Sequence, residues 1–277
     1  MIYMTSNAFK IQKQPNLKYN VKKPKLHRFG SDPEITMNAT ALIRHWGYPA
    51  EEHVIETQDG YILRIQRIPY GKSGRGNAPR PVIFMQHGLE CSSTNWITNL
   101  PNESAGFIFA DAGFDVWLGN MRGNTYGRNH VSLNVNDKKF WEFSWDEMAK
   151  FDLPAMVDYV LGLTQQESLY YMGHSQGTLI GFAHFSENPE WAKKIKTFFA
   201  LGPVVTVKHI GGLLKWIAPY TNELSILLNL VGVNEFLPNN WIIDELAKTL
   251  CANAITNTVC DDILFLIAGA NSHQMNQ

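Results

Sequence analysis

The sequence predicts an α/β fold, a mostly parallel sheet with helices on both faces, and three observations predict it. Short apolar runs that end at glycine alternate with helix-compatible segments. The best of these runs is continuously apolar, as a strand buried on both faces requires. No internal repeat and no Gly/Ser-rich or Pro-rich linker divides the chain. The 277 residues suffice for one large domain, and with 45% hydrophobic and 18% charged residues most of the chain is excluded from composition-driven disorder. The 24 Lys and Arg nearly balance the 25 Asp and Glu, which leaves no electrostatic case for nucleic acid as a partner.

Residues 1–31 stand apart. Lys10, Lys13, Lys18, Lys22, Lys23, Lys25 and Arg28 occur there with no acid through Arg28, as in a solvated, disordered tail or a basic arm for a membrane surface or partner. The segment lacks the apolar run of a signal peptide. No stretch of the chain reaches the roughly 18 uncharged apolar residues of a membrane span.

Residues 32–207 carry the sheet pattern. His53 to Thr57 and Tyr61 to Ile68 form a hairpin signal across Asp59-Gly60. Pro81 to Gln86 (PVIFMQ) is the continuous apolar run, closed by His87-Gly88. Phe114 to Leu118 is a further strand that stops at Gly119-Asn120. Ser144 and Glu147 make a capping box, and the helix they open runs toward Leu163, restarted or kinked where Pro154 takes a first-turn position. Leu169 to Met172 is a strand running into Gly173, Thr178 to Phe185 and Trp191 to Ile195 are helical, and Thr197 to Val204 is another strand. In residues 208–277 the strands cease. Leu213, Leu214 and Ile217, then Leu224, Leu227, Leu228 and Val231, repeat at helical spacing, which fits a helical cap or an ordinary helical subdomain whose stripes are core.

The chemistry centres on Gly173-His174-Ser175-Gln176-Gly177. A G-x-S-x-G pentapeptide directly after a strand and before a helix is the context of a nucleophile elbow. Its serine sits in a strained turn, so the residues two before and two after must be small for strand and helix to pass. Ser175 is therefore the candidate nucleophile, against the plainer reading of a glycine-rich turn with an incidental serine. His87-Gly88-Leu89 stands where this fold places its second oxyanion donor, so the backbone N–H groups of Leu89 and Gln176 are the candidate oxyanion hole. His87 and His174 read as loop-orienting and packing residues. Cys251 and Cys260 fit either one bridge or two reduced core cysteines, with Cys91 left over as a free thiol. No CxxC pair or histidine cluster suggests a metal, and no cofactor is expected.

The segments HGLECSSTNWITNLP (87–101), ADAGFDVWLGNMRGNTYGRNH (110–130), FWEFSWDEMAKFDLPAMVDYV (140–160) and YYMGHSQGTLIGF (170–182) resemble the acid lipase family that includes gastric and lysosomal acid lipases. The likeness runs from about residue 32 to about residue 269. It implies an α/β-hydrolase fold with a helical cap, Ser175 as nucleophile, Leu89 and Gln176 as oxyanion donors, and a Cys251–Cys260 cap disulfide. It also implies a monomeric enzyme hydrolysing triacylglycerol or cholesteryl ester at a lipid droplet or membrane interface, in a lysosomal or secreted setting. Asn38-Ala39-Thr40 and Asn102-Glu103-Ser104 are glycosylation sequons that fit a secretory route. Two departures stand out: Ala268 replaces a third cap cysteine, and Glu90 takes a usually apolar place beside the oxyanion loop.

Serine acyl transfer also needs a base and an orienting acid, in the chain order Ser, Asp/Glu, His. The family places both after the cap, so the last strands and both partners are expected to lie beyond Gln277. Asp261 or Asp262 with His273 has the right order but falls in the cap region. The missing signal peptide reads as a second lost end. On this reading the chain is part of a serine lipase and by itself turns over esters poorly. The alternative is a catalytically inactive product that at most binds lipid.

Overall fold

A computed structural model describes residues 33–206. Two compact units divide between Thr36 and Met37; of the first, only the 3-10 turn Pro33–Thr36 is described. The elements below belong to the second unit. The expected cap at 208–277, the basic segment at 1–31 and the Cys251–Cys260 pair lie outside the described residues.

The hairpin is formed by β1 (Glu51–Glu56) and β2 (Tyr61–Ile68), antiparallel with Glu51 opposite Arg67. The turn between them contains Gly60 at φ +93°, a conformation that favours glycine. The other strands are β3 (Val82–Gln86), β4 (Asp115–Gly119), the two-residue β5 (Asn129–His130), β6 (Leu169–His174) and β7 (Ile195–Leu201). They form a seven-stranded sheet in the order β1-β2-β4-β3-β6-β7, with β5 paired to β2. From β4 through β7 the pairings are parallel, and β3 is flanked on both sides.

Alternation along β3 sorts its side chains into two cores. Val82 and Phe84 join Trp117 and Tyr171 against α4 (Leu153–Thr164) and α5 (Gln176–Glu187), through Met156, Val157, Val160 and Ile180. Ile83 and Met85 face the other way with Val116 and Leu118. They pack on Leu42 and Ile43 of α1 (Ala39–His45) and on Phe107 and Ala110 of α2 (Ala105–Asp111). A strand with no wet face has to read as an unbroken apolar run, which is why PVIFMQ is visible in the sequence.

The helix opened by Ser144 takes the expected form in a modified way. The capping box is present, with Ser144 N–H donating to Glu147 and Asp146 N–H to the Ser144 hydroxyl, at the start of α3 (Trp145–Glu147). Between α3 and α4 the chain makes a π turn over Met148–Asp152, and Pro154 stands in the first turn of α4. Several elements differ from the sequence reading, α2 among them, which that reading lacks, and the helical segment expected at 191–195 is a 3-10 turn over Trp191–Lys194 that hands Ile195 to β7. The strand expected at 197–204 runs instead over Ile195–Leu201, because β6 draws its start back to Leu169 opposite Ile195 while Gly202 at φ +55° and Pro203 end it. Helix α1 is absent from that reading: its N-cap, Asn38, whose Oδ1 accepts from Ala41 N–H at 2.8 Å, is also the first residue of a sequon, and the sequon is the pattern that shows. The strand Leu169 to Met172 continues two residues further, carrying Gly173 and His174 into pairing with Ala200 and Leu201.

Candidate active site

The turn after β6 is shaped by what cannot fit there. Ser175 lies at φ +51° and ψ −114°, a conformation that residues other than glycine seldom adopt and that costs of order 1–3 kcal/mol. A Cβ on Gly173 would come within 2.8 Å of the Gly177 carbonyl, and one on Gly177 within 2.6 Å of the Gln86 carbonyl oxygen and 2.8 Å of that of His87. These are backbone collisions, which no rotamer change relieves, so both glycines are fixed by the crossing of β6, α5 and β3. Main-chain bonds hold the serine itself: its N–H donates to Leu201 O at 2.9 Å, and its carbonyl accepts from Thr178 N–H at 2.9 Å. Thr178 Oγ1 adds a second bond to that carbonyl at 2.6 Å. The Ser175 side chain stands at the N-cap position of α5 without capping it, and among the described residues its hydroxyl makes no hydrogen bond. It is half-buried and available.

The loop after β3 comes up against this serine. A Cβ on Gly88 would lie 3.1 Å from both the Ser175 Cβ and the His174 Nδ1. Leu89, next in the chain, is 56% exposed, and Gln176 opens α5, where the helix leaves its first N–H groups without intrahelical acceptors. Among the described residues neither of these two N–H groups has an acceptor. Glu90 is exposed at φ +54°, so its carboxylate is not enclosed with the serine. Cys91 is a free, half-buried thiol, and burial together with the Glu90 charge pushes it up from its ordinary pKa, away from thiolate reactivity.

His87 is buried and anchors this loop. Its Nδ1 bonds to Gly88 O at 2.7 Å, while Nε2 receives Met121 N–H at 3.2 Å and the Asn124 side-chain amide at 3.1 Å. Burial pushes its pKa down to about 4. His174 packs its ring edge-on to Trp96, and burial lowers it as well. Both histidines thus take the packing and orienting roles read from the sequence.

A polar framework that the sequence reading does not contain supports the anchor. Asn120, fully buried, accepts from Ser93 N–H at 2.8 Å and donates to Arg64 O at 2.7 Å and Gln66 Oε1 at 3.0 Å. Two residues on, Arg122 is 2% exposed. It donates twice to Asp152 Oδ1, at 2.9 and 2.6 Å, and to both oxygens of Asp59, at 2.5 and 2.8 Å, with its guanidinium 4.0 Å over the Tyr61 ring. These carboxylates hold Arg122 firmly protonated against its burial. Burial raises the Asp152 carboxyl, against the pull of Arg122. The signal that could have found this framework is an arginine between Gly119 and Gly123 at the end of a fully buried strand.

The remaining sequence-derived sites are separate from the elbow. Asn38 and Asn102 are both exposed, at the N-cap of α1 and on the turn before α2. Cys251, Cys260, Asp261, Asp262 and His273 lie outside the described residues. Among the described residues no group of acids, histidines and cysteines could hold a metal, and no helix is long and apolar enough to cross a membrane.

A parallel sheet whose β6 strand ends in a strained serine, flanked by two sterically required glycines and followed by a helix, is the architecture of the α/β-hydrolases. A family model of the α/β hydrolase fold matches residues 81–235, and one of a partial α/β-hydrolase lipase region matches residues 39–100. The chain belongs to the α/β-hydrolase family. Within it, its similarity is to the acid lipases. It is 53% identical over 251 residues to lipase lipl-1 of Caenorhabditis elegans, covering 89% of this chain and 62% of that protein. Human lysosomal acid lipase/cholesteryl ester hydrolase is 48% identical over 246 residues, covering 88% and 61%. Human gastric triacylglycerol lipase is 49% identical over 253 residues, covering 91% and 63%. The chain thus spans about three fifths of the length of these curated relatives.

Proposed function

We propose that the protein is a serine ester hydrolase that cleaves neutral lipid esters, triacylglycerol or cholesteryl ester, through an acyl-enzyme on Ser175. The observation that carries the reading is the unspent hydroxyl of Ser175, held at φ +51° between two glycines that nothing larger can replace. In the reaction Ser175 Oγ attacks the acyl carbonyl as a base takes its proton. The carbonyl electron pair moves to oxygen, where the N–H groups of Leu89 and Gln176 receive it. The intermediate collapses with loss of the alcohol, which takes the proton from the base, and water then releases the fatty acid by the same steps. Each oxyanion donor of this kind is worth about a hundredfold to a thousandfold in rate. The base and its orienting acid follow the serine in chain order and come from outside the described residues.

The lipid substrate rests on the names of the relatives, a cholesteryl ester hydrolase and triacylglycerol lipases. A lysosomal or secreted setting fits one feature of the chain. The exposed Asn38 and Asn102 leave room for glycans, and the Asn38 Nδ2 that a glycan would take has no partner among the described residues. The reading further places a helical cap at 208–277 closed by Cys251–Cys260, a monomer, and action at a lipid droplet or membrane interface. Labelling with a serine-directed phosphonate tests it: the protein is modified at Ser175 and Ser175→Ala is not. Equal labelling of both, or labelling of neither, overturns it.

A further inference from the structure

At the opposite end of the sheet from Ser175, where β3, β4, β6 and β7 begin, a cleft of about 790 Å³ opens between the loop leading into β3 and the end of α4. Its walls carry four cations: Arg67, Arg75, Arg80 and Lys196. Two carboxylates share the cleft, Glu51 and Asp115, and both are already engaged by Arg67. That arginine holds Asp115 through two bonds of 2.8 and 2.7 Å and Glu51 through one of 2.9 Å. The other three cations have no carboxylate partner among the described residues. Arg80 is fixed in place by donating to Arg75 O at 2.9 Å and Gly74 O at 2.8 Å, with its Nη1 buried and unpartnered. It is thereby preorganised, and the chain spends no acid on it. Arg75 on the loop and Lys196 on β7 are exposed and complete a cationic wall.

Unpaired cations gathered in one concavity cost self-repulsion, and in a chain of net charge −1 they are not a by-product of a basic composition. Guanidinium and ammonium donors focused in a cleft are the chemistry that recognises phosphate oxygens. We propose that this cleft is a binding site for a phosphate-bearing anion, held by Arg75, Arg80 and Lys196 and separate from the ester-cleaving site. The strand β6 lies between the two sites, about 20 Å at the rise of a β-strand, so the anion does not touch the reacting ester. The site stands whether or not Ser175 is a nucleophile.

Calorimetric titration of the full chain with pyrophosphate tests it, against the Arg75→Ala/Lys196→Ala double variant, which removes two cations and leaves the bonds of Arg80 to the loop carbonyls. Saturable binding, weakened at least about tenfold in the double variant and by added salt, is the expected result. A Lys196→Arg variant, which keeps the charge, binds as the wild type does. Vesicles containing phosphatidic acid identify the source of the phosphate: sedimentation of the protein with them, reversed by pyrophosphate, assigns it to a lipid headgroup. Binding in solution without sedimentation assigns it to a soluble ligand, and either result supports the site. No heat of binding up to about 10 mM pyrophosphate, or equal affinity in wild type and a folded double variant, overturns it.

Discussion

The main-chain N–H of Met121 donates to Nε2 of His87 at 3.2 Å, and this fixes the state of the imidazole. A backbone N–H can only donate, so Nε2 carries no proton. The Asn124 amide nitrogen donates to the same atom at 3.1 Å, and its orientation is set because Asn124 Oδ1 accepts from Tyr126 N–H. The single proton of the neutral ring is then on Nδ1, donated to Gly88 O at 2.7 Å. The loop carrying Gly88 and Leu89 is thus tied through one neutral ring to the segment after β4. Protonation would set an N–H at Nε2 against two donors.

Stability should therefore depend on acid through His87. Its pKa is pushed down by burial to about 4, against 6.5 for an unperturbed histidine, so between these values the unfolded chain binds a proton that the folded one refuses. The sign is a loss of stability as pH falls from 6.5 toward 4, complete below 4 and amounting to about 3 kcal/mol. His87→Gln, which can still accept from Met121, should lack this component. Urea unfolding at a series of pH values checks it: parallel wild-type and variant curves across that window would show that His87 is not the group responsible.

Two glycines on α4 and α5 should respond in opposite directions to alanine. Gly177→Ala would put a methyl 2.6 Å from the Gln86 carbonyl oxygen, in a position set by strand pairing on both sides of β3. We expect a loss of about 3 kcal/mol or more, or no soluble protein. Gly162 is exposed inside α4, and a Cβ at that position would meet nothing within 4 Å, so Gly162→Ala should gain about 0.5–1 kcal/mol from helix propensity. Thermal melts of the two variants decide between a steric and a purely local role for these residues.

What is legible in the sequence is what a few neighbouring residues dictate. The elbow can be read because its steric demand is written in Gly173 and Gly177, and the hairpin because Asp59-Gly60 sits between two strand-forming runs. The capping box and Pro154 locate the starts of the two helical segments, but not the π turn between them that turns Asp152 inward. That turn matters only because Arg122 waits opposite, 30 residues away in sequence, and no local pattern announces such a meeting. For the same reason His87 can be assigned an orienting role but not a tautomer, which depends on Met121 and Asn124. The bounds of β7 differ from the sequence reading because pairing with β6, rather than its own composition, sets its start.

The Arg122 framework should be costly to break and cheaper to neutralise as a pair. Arg122→Met leaves Asp152, which is fully buried, with its charge unanswered, and we expect a loss of about 3–5 kcal/mol. Asp152→Leu strands the arginine on Asp59 alone. The double variant Arg122→Met/Asp152→Leu should be markedly more stable than the sum of the two single losses predicts, with a coupling of at least about 1 kcal/mol. A double-mutant cycle by urea denaturation measures it; additive losses would mean that the two side chains do not stabilise the fold through each other.

Ser175 should be a residue the fold would be more stable without. It adopts φ +51° and ψ −114° although it carries a Cβ, and its hydroxyl offsets none of that strain, making no hydrogen bond among the described residues. Replacing it with glycine removes a conformational cost of order 1–3 kcal/mol. The same change gives the unfolded chain more freedom, which takes back about 0.4–1 kcal/mol. The net expectation for Ser175→Gly is a gain of up to about 2.5 kcal/mol, seen as a higher melting temperature, together with loss of phosphonate labelling. Ser175→Ala separates the two effects, since alanine keeps the Cβ and hence the strain while losing the hydroxyl. It should label no better than glycine and melt close to the wild type. If Ser175→Gly melts no higher than Ser175→Ala, the turn stores no strain at this residue. A rise confined to glycine would show that stability is given up at Ser175 to hold its hydroxyl where β6 meets α5.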